Sequence, residues 1–146
     1  MAPPLRRHPL IRRAETLCVK KILAFSVVAE IGTGLVLMID PAIVVELLLR
    51  IEVSGVGIAL GRCFGIALLA LGIACWPGGR RAAGGSSPFW AMLTYNALIA
   101  LYLAFLGTVR HLGGLLLWPA VALHAAVALL LIWAWRRERR SETTSE

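Results

Sequence analysis

Four apolar runs, at residues 22–39, 55–76, 89–110 and 113–135, divide the chain, and the connections between them are short. Each run is close to the ~20 residues that an α-helix needs to cross a hydrocarbon core ~30 Å thick. The 146 residues are 59% hydrophobic, with a mean hydropathy of +0.80, which is more apolar surface than a soluble domain of this length can hide. The expected fold is therefore all-α: an antiparallel bundle of four transmembrane helices over residues 22–135. Residues 1–21 form a basic N-terminal segment and residues 136–146 a polar tail.

The net charge of +7 would suit a nucleic-acid partner if the basic residues shared one surface. Of the 15 Lys and Arg, however, all but Arg50, Arg62 and Arg110 fall before the first run, between the second and third, or after the fourth. An excess of basic residues on one side of a membrane marks that side as cytoplasmic. Both termini are thus expected in the cytoplasm, with the lipid bilayer as the main partner and no nucleic acid. Trp76, Trp90, Trp133 and Trp135 lie at the same ends of the runs, where amphipathic indoles favour the interface.

The opening residues carry paired arginines ahead of an apolar run, as a signal peptide or twin-arginine signal would. That run is full length, includes Glu30 and lacks a small-x-small cleavage site after it, so a retained signal anchor is expected. Residues 10–21 are read as a short helix on the cytoplasmic surface. Cys18, Cys63 and Cys75 lack CxxC spacing, so neither thiol-disulfide chemistry nor structural zinc is expected.

After the first run, Asp40 and Pro41 form an N-cap and first-turn proline. PAIVVELLLRIEVSG is then expected as a short amphipathic helix on the outer membrane face, with Glu46 and Arg50 spaced to pair; the alternative is that the first span continues outward. PGGRRAAGGSSP is expected to be a flexible cytoplasmic loop and SETTSE a disordered tail.

Polar residues inside the runs are the candidate site. Counted at ~1.5 Å per residue from the outer ends, Arg62 lies about 11–12 Å deep and Glu30 about 13–14 Å deep. Tyr95, Asn96 and His124 fall in the same central layer. An arginine at the centre of a helix costs about 2.5–3.5 kcal/mol, and the nine Leu, Ile, Val and Phe of its run return only ~4 kcal/mol. A buried Glu30–Arg62 pair between spans one and two is expected for this reason, the alternative being that Arg62 snorkels outward and Glu30 is a neutral acid bonded to Ser, Thr or Asn. Gly57, Gly61 and Gly65 repeat every four residues and form a ridge for close helix packing, with a second copy or another membrane protein as a candidate partner. No catalytic constellation, metal cluster or cofactor site is apparent. A bis-histidine haem is disfavoured because His111 lies at the outer edge, far from His124.

GRCFGIALLALGIACW, YNALIALYLAF and LLWPAVALHAAVALLL resemble segments of small four-helix bacterial membrane proteins of the DoxX-like type. The resemblance implies a four-helix bundle in the cytoplasmic membrane and carries no catalytic residues. VAEIGTGLVLM is also similar to the first helix of small multidrug resistance transporters, in which a mid-membrane Glu is essential. In those proteins the motif resembling SGVGIAL belongs to the third helix, and no arginine follows it. Two expectations follow: a non-enzymatic accessory or structural membrane protein, or alternatively a proton-coupled transporter that titrates at Glu30.

Overall fold

A computed structural model describes residues 9–77 and 86–143. Among these described residues there are five helices: α1 (Pro9–Ile39), α2 (Pro41–Leu49), α3 (Val56–Ala74), α4 (Ser87–Thr108) and α5 (Leu117–Thr143). Four of them hold spans long and apolar enough to cross a membrane, Leu17–Ile39, Val56–Ala74, Ser87–Thr108 and Leu117–Arg140. The chain is a multi-pass membrane protein of the expected all-α class.

Two hairpins make up the fold. In the first, α1 runs antiparallel to α3, Gly34 opposing Gly65 and Ile31 opposing Gly72. In the second, α4 runs antiparallel to α5, from Gly107 against Leu117 and Trp118 at one end to Trp90 against Trp135 at the other, ring centroids 5.4 Å apart. Helix α1 joins the hairpins through contacts with α5 and, more sparsely, α4, whereas α3 packs almost wholly on α1 and α2. An apolar core fills the Trp-rich half, built from Val19, Leu23 and Val27 of α1, Phe89, Met92 and Leu93 of α4, and Val127, Ala128, Leu131 and Ala134 of α5. At that end the Arg139 guanidinium lies 4.5 Å from the Trp135 ring centroid and Arg137 lies 5.3 Å from that of Trp133, a cation–π arrangement suited to a membrane–water boundary.

The expected helix between spans one and two is present as α2. Asp40 stops α1 by leaving helical geometry (φ −142°, ψ 86°), and its carboxylate accepts from the Ala42 and Ile43 amides at 3.1 and 3.3 Å. Pro41, at the first helical position, lacks only an amide that would have had no partner there. Glu46 and Arg50 do not pair: Arg50 ends α2 in a left-handed conformation (φ 58°, ψ 41°), off the helical stripe that the i, i+4 spacing assumed. Gly55 then starts α3 at φ 56°, ψ −120°, a combination that only glycine takes readily.

The N-terminal expectation needs correction. Residues 10–21 do not form a separate surface helix, because α1 runs unbroken from Pro9 into the membrane span. No glycine or proline falls between Leu10 and Ile31 to interrupt it there, and the apolar stretch begins at Leu17 rather than Ile22. Most of the PGGRRAAGGSSP loop and the end of the SETTSE tail lie outside the described residues.

Candidate functional site

Where the apolar core ends, toward α2, five polar side chains meet: Ser26 and Glu30 of α1, Tyr95 and Asn96 of α4, and His124 of α5. Ser26, Glu30 and Asn96 are among the most buried residues of the protein, at 2%, 3% and 1% exposure. Asparagine is a poor residue for a helix interior unless its amide is satisfied. Here Asn96 Nδ2 donates to its own helix at the Met92 carbonyl, 2.8 Å, and across to Ser26 Oγ, 3.1 Å.

Both amide hydrogens of Asn96 are used, so its Oδ1 must accept from His124 Nδ1, 2.8 Å away. This network assigns a proton to Nδ1 and leaves Nε2 as the nitrogen free to gain or lose one. His124 Nδ1 also lies 3.9 Å from Glu30 Oε1, close enough for charge attraction but beyond hydrogen-bond range. The Tyr95 hydroxyl donates to the Glu30 carboxyl, and the Tyr95 ring meets the His124 ring edge to face, centroids 5.8 Å apart. One continuous network thereby fastens α1, α4 and α5 together. Ala128, one turn after His124, is buried and leaves room for α1 to approach.

Arg62 is not part of this layer, and the expected Glu30–Arg62 pair does not form. Glu30 has His124 as its ionisable neighbour instead, while Arg62 is exposed and makes no ion pair among the described residues. The cause is axial register. Depth counted from the ends of the runs treats Ile39 and Gly55 as level, but Gly61 lies against Pro41, and Gly65 against Gly34. The first turn of α3 therefore rises past the end of α1, alongside α2. Extending this register sets Arg62 near the end of α1, about 12 Å from the level of Glu30. A long guanidinium side chain at that level reaches polar surroundings without a protein partner. So α3 adds nothing to the layer, and three of the four spans build it.

The glycine ridge is used within the chain. A Cβ on Gly65 would stand 2.7 Å from the Gly34 carbonyl oxygen, one on Gly61 2.5 Å from Pro41 Cβ, and one on Gly57 2.5 Å from Val53 Cγ1. Gly72 extends the same face, its notional Cβ 2.5 Å from Ile31 Cγ1. The approaches at Gly61, Gly65 and Gly72 bring α3 onto α1 and α2, while Gly57 meets the stretch that leads into its own helix, so at those three positions the ridge is not a free surface for a second copy.

Two features of the site escape a reading of the sequence: the Asn96 bridge and the pairing of Glu30 with His124. Ser26, one turn before Glu30, was the visible signal, since a hydroxyl at that spacing shares the inward face. Among the described residues, no group of three His, Cys, Asp or Glu side chains could hold a metal ion. No family model matches the chain, and no curated protein or solved structure matches it significantly.

Proposed function

We propose that this protein is a non-enzymatic, accessory or structural component of a bacterial cytoplasmic membrane, with both termini cytoplasmic, and that its polar layer sets the register of α1, α4 and α5. The observation that carries this reading is the near-complete burial of Ser26, Glu30 and Asn96, whose hydrogen-bonding groups are turned toward protein partners. A network packed in this way specifies one helix arrangement, because sliding any of the three helices by a turn would strand polar groups in hydrocarbon. The resemblance to DoxX-like membrane proteins, the one-sided distribution of basic residues and the Trp-rich end support the same placement.

A second reading, a small proton-coupled transporter, draws on one observation: an imidazole rather than a guanidinium stands beside Glu30. Arginine would hold the carboxylate ionised, whereas Glu and His can exchange a proton between them without changing the net charge of the layer. Tyr95, Asn96 and His124 would line such a path.

One experiment separates the two. Proton flux into proteoliposomes and thermal unfolding in detergent are measured for wild type and Glu30→Gln. The structural reading expects no flux above protein-free liposomes in either protein and a lower unfolding temperature in the variant. Flux in wild type that disappears in Glu30→Gln overturns it in favour of transport. Pull-down of the tagged protein from its native membrane then identifies the partner, a second copy or another membrane protein.

A further inference from the structure

At the end opposite Trp90 and Trp135, α2 belongs to the first hairpin but is fastened to the second. The Gly114 amide donates to the Leu48 carbonyl and the Leu116 amide to the Leu47 carbonyl, both at 2.9 Å. Those carbonyls are among the last four of α2, which a helix cannot satisfy internally, so the α4–α5 connection completes the helix end. Gly114 is required for this contact, since a Cβ there would run into the Leu47 carbonyl.

We propose that α2 is a hinged strap, latched at Gly114 and Leu116, that closes the α2 end of the bundle over the Glu30–His124 layer. The hinges are on either side of the helix: Asp40, outside helical geometry, and the non-helical stretch that begins at Arg50. Between them α2 is a rigid nine-residue rod with its own caps, able to move as a unit. It touches α1, α3 and α5, and α3 has next to no contact with α4 or α5, so at this end the strap ties the hairpins together. Along the helix axes, the buried apolar side chains between strap and layer are Leu37, Leu68, Ala100, Leu106 and Leu117.

The latch is held under strain from both sides. Among the described residues, Arg50 and His111 are the non-glycine positions with left-handed backbone, at φ 58° and 53°. One follows the latching carbonyls of α2, and the other precedes the latching amides of the loop. Conformations that L-residues seldom adopt persist where surrounding structure enforces them, and they relax when it lets go. Two hydrogen bonds at a membrane boundary, opposed by such strain, make a fastening that opens locally without unfolding the bundle. The inference stands whether the layer beneath is purely structural or conducts protons.

The test is the rate at which a water-soluble carbodiimide with an amine nucleophile modifies Glu30 in nanodisc-embedded protein, read by mass spectrometry, with Glu30→Gln as the control for site assignment. Gly114→Ala pushes the strap off and Leu116→Pro deletes one latching amide. Each is expected to raise the rate about tenfold, the population change that loss of a net hydrogen bond produces. Unchanged rates in folded variants overturn the proposal. A lock decides the case if either variant fails to fold: with Cys18, Cys63 and Cys75 replaced by alanine, Leu47→Cys and Leu116→Cys are bridged by a short bis-maleimide crosslinker, which adds both thiols. Slower modification when bridged than when open supports the strap, and equal rates overturn it.

Discussion

Helix α1 meets α3 through missing side chains and meets α4 and α5 through hydrogen bonds. On the α3 side, Gly34 and Gly65 bring two backbones together, with Gly72 and Gly61 accepting Ile31 and Pro41. On the other side, Ser26 and Glu30 reach Asn96, Tyr95 and His124. Within a bilayer the lipid is as apolar as any leucine, so burial alone gives two helices little reason to prefer each other. Close backbone packing answers this with dispersion, which is strong only at one separation. Hydrogen bonding answers it with partners, which exist only at one register.

Substitutions should divide along the same line. Gly65→Leu is expected to do the most damage, about 3 kcal/mol, because backbone atoms of Gly34 and Met38 leave its side chain nowhere to go. Thermal unfolding in detergent measures it, and a near-wild-type melting temperature would mean the two backbones are not in contact. Asn96→Ala comes next at about 1–3 kcal/mol, since Ser26 loses a donor and His124 an acceptor in a buried site. In a double-mutant cycle with Ser26→Ala the coupling should be about 0.6 kcal/mol, typical of hydrogen bonds between membrane helices; zero coupling removes the bridge from the account.

Glu30→Gln keeps the shape of the side chain and an acceptor for Tyr95, so about 1 kcal/mol or less should be lost. A loss as large as that of Asn96→Ala would show that the charge on Glu30, rather than its hydrogen bonding, holds the layer. The smallest effects belong to positions outside both interfaces. Arg62→Leu should leave stability within about 0.5 kcal/mol, as an exposed side chain with no ion pair among the described residues warrants. Gly32→Ala should be neutral or gain up to ~1 kcal/mol of helix propensity, because nothing lies within 4 Å of its notional Cβ. A severe loss at Gly32, two residues from Gly34, would put the α1–α3 face on the wrong side of the helix.

How far sequence reading reaches follows the same division. The four spans are legible because hydropathy is summed over about 20 residues and tolerates errors at the ends. The start of α2 is legible because Asp40 and Pro41 act on their own neighbours. That Glu30, Tyr95, Asn96 and His124 share a layer can be estimated from depth, since α1, α4 and α5 each cross directly. Arg62 defeats the estimate because its height depends on how α2 is laid between two spans, a tertiary fact that no count along α3 contains. The role of Gly61 and Gly65 was half legible: small residues announce close approach, but the spacing does not say whether the visitor is α1 or a second copy.

Chain order gives the two faces of α1 different histories during synthesis. Everything the α1–α3 contact needs has been made once Gly72 leaves the ribosome, and that hairpin can settle while the rest of the message is still being read. Ser26 and Glu30 must by then already be in the membrane, with Asn96 and His124 not yet out of the ribosome. For that interval the nascent chain holds a carboxyl group on a lipid-facing flank of a finished hairpin. The second hairpin, on arrival, finds a preformed surface with one conspicuous polar mark by which to align itself.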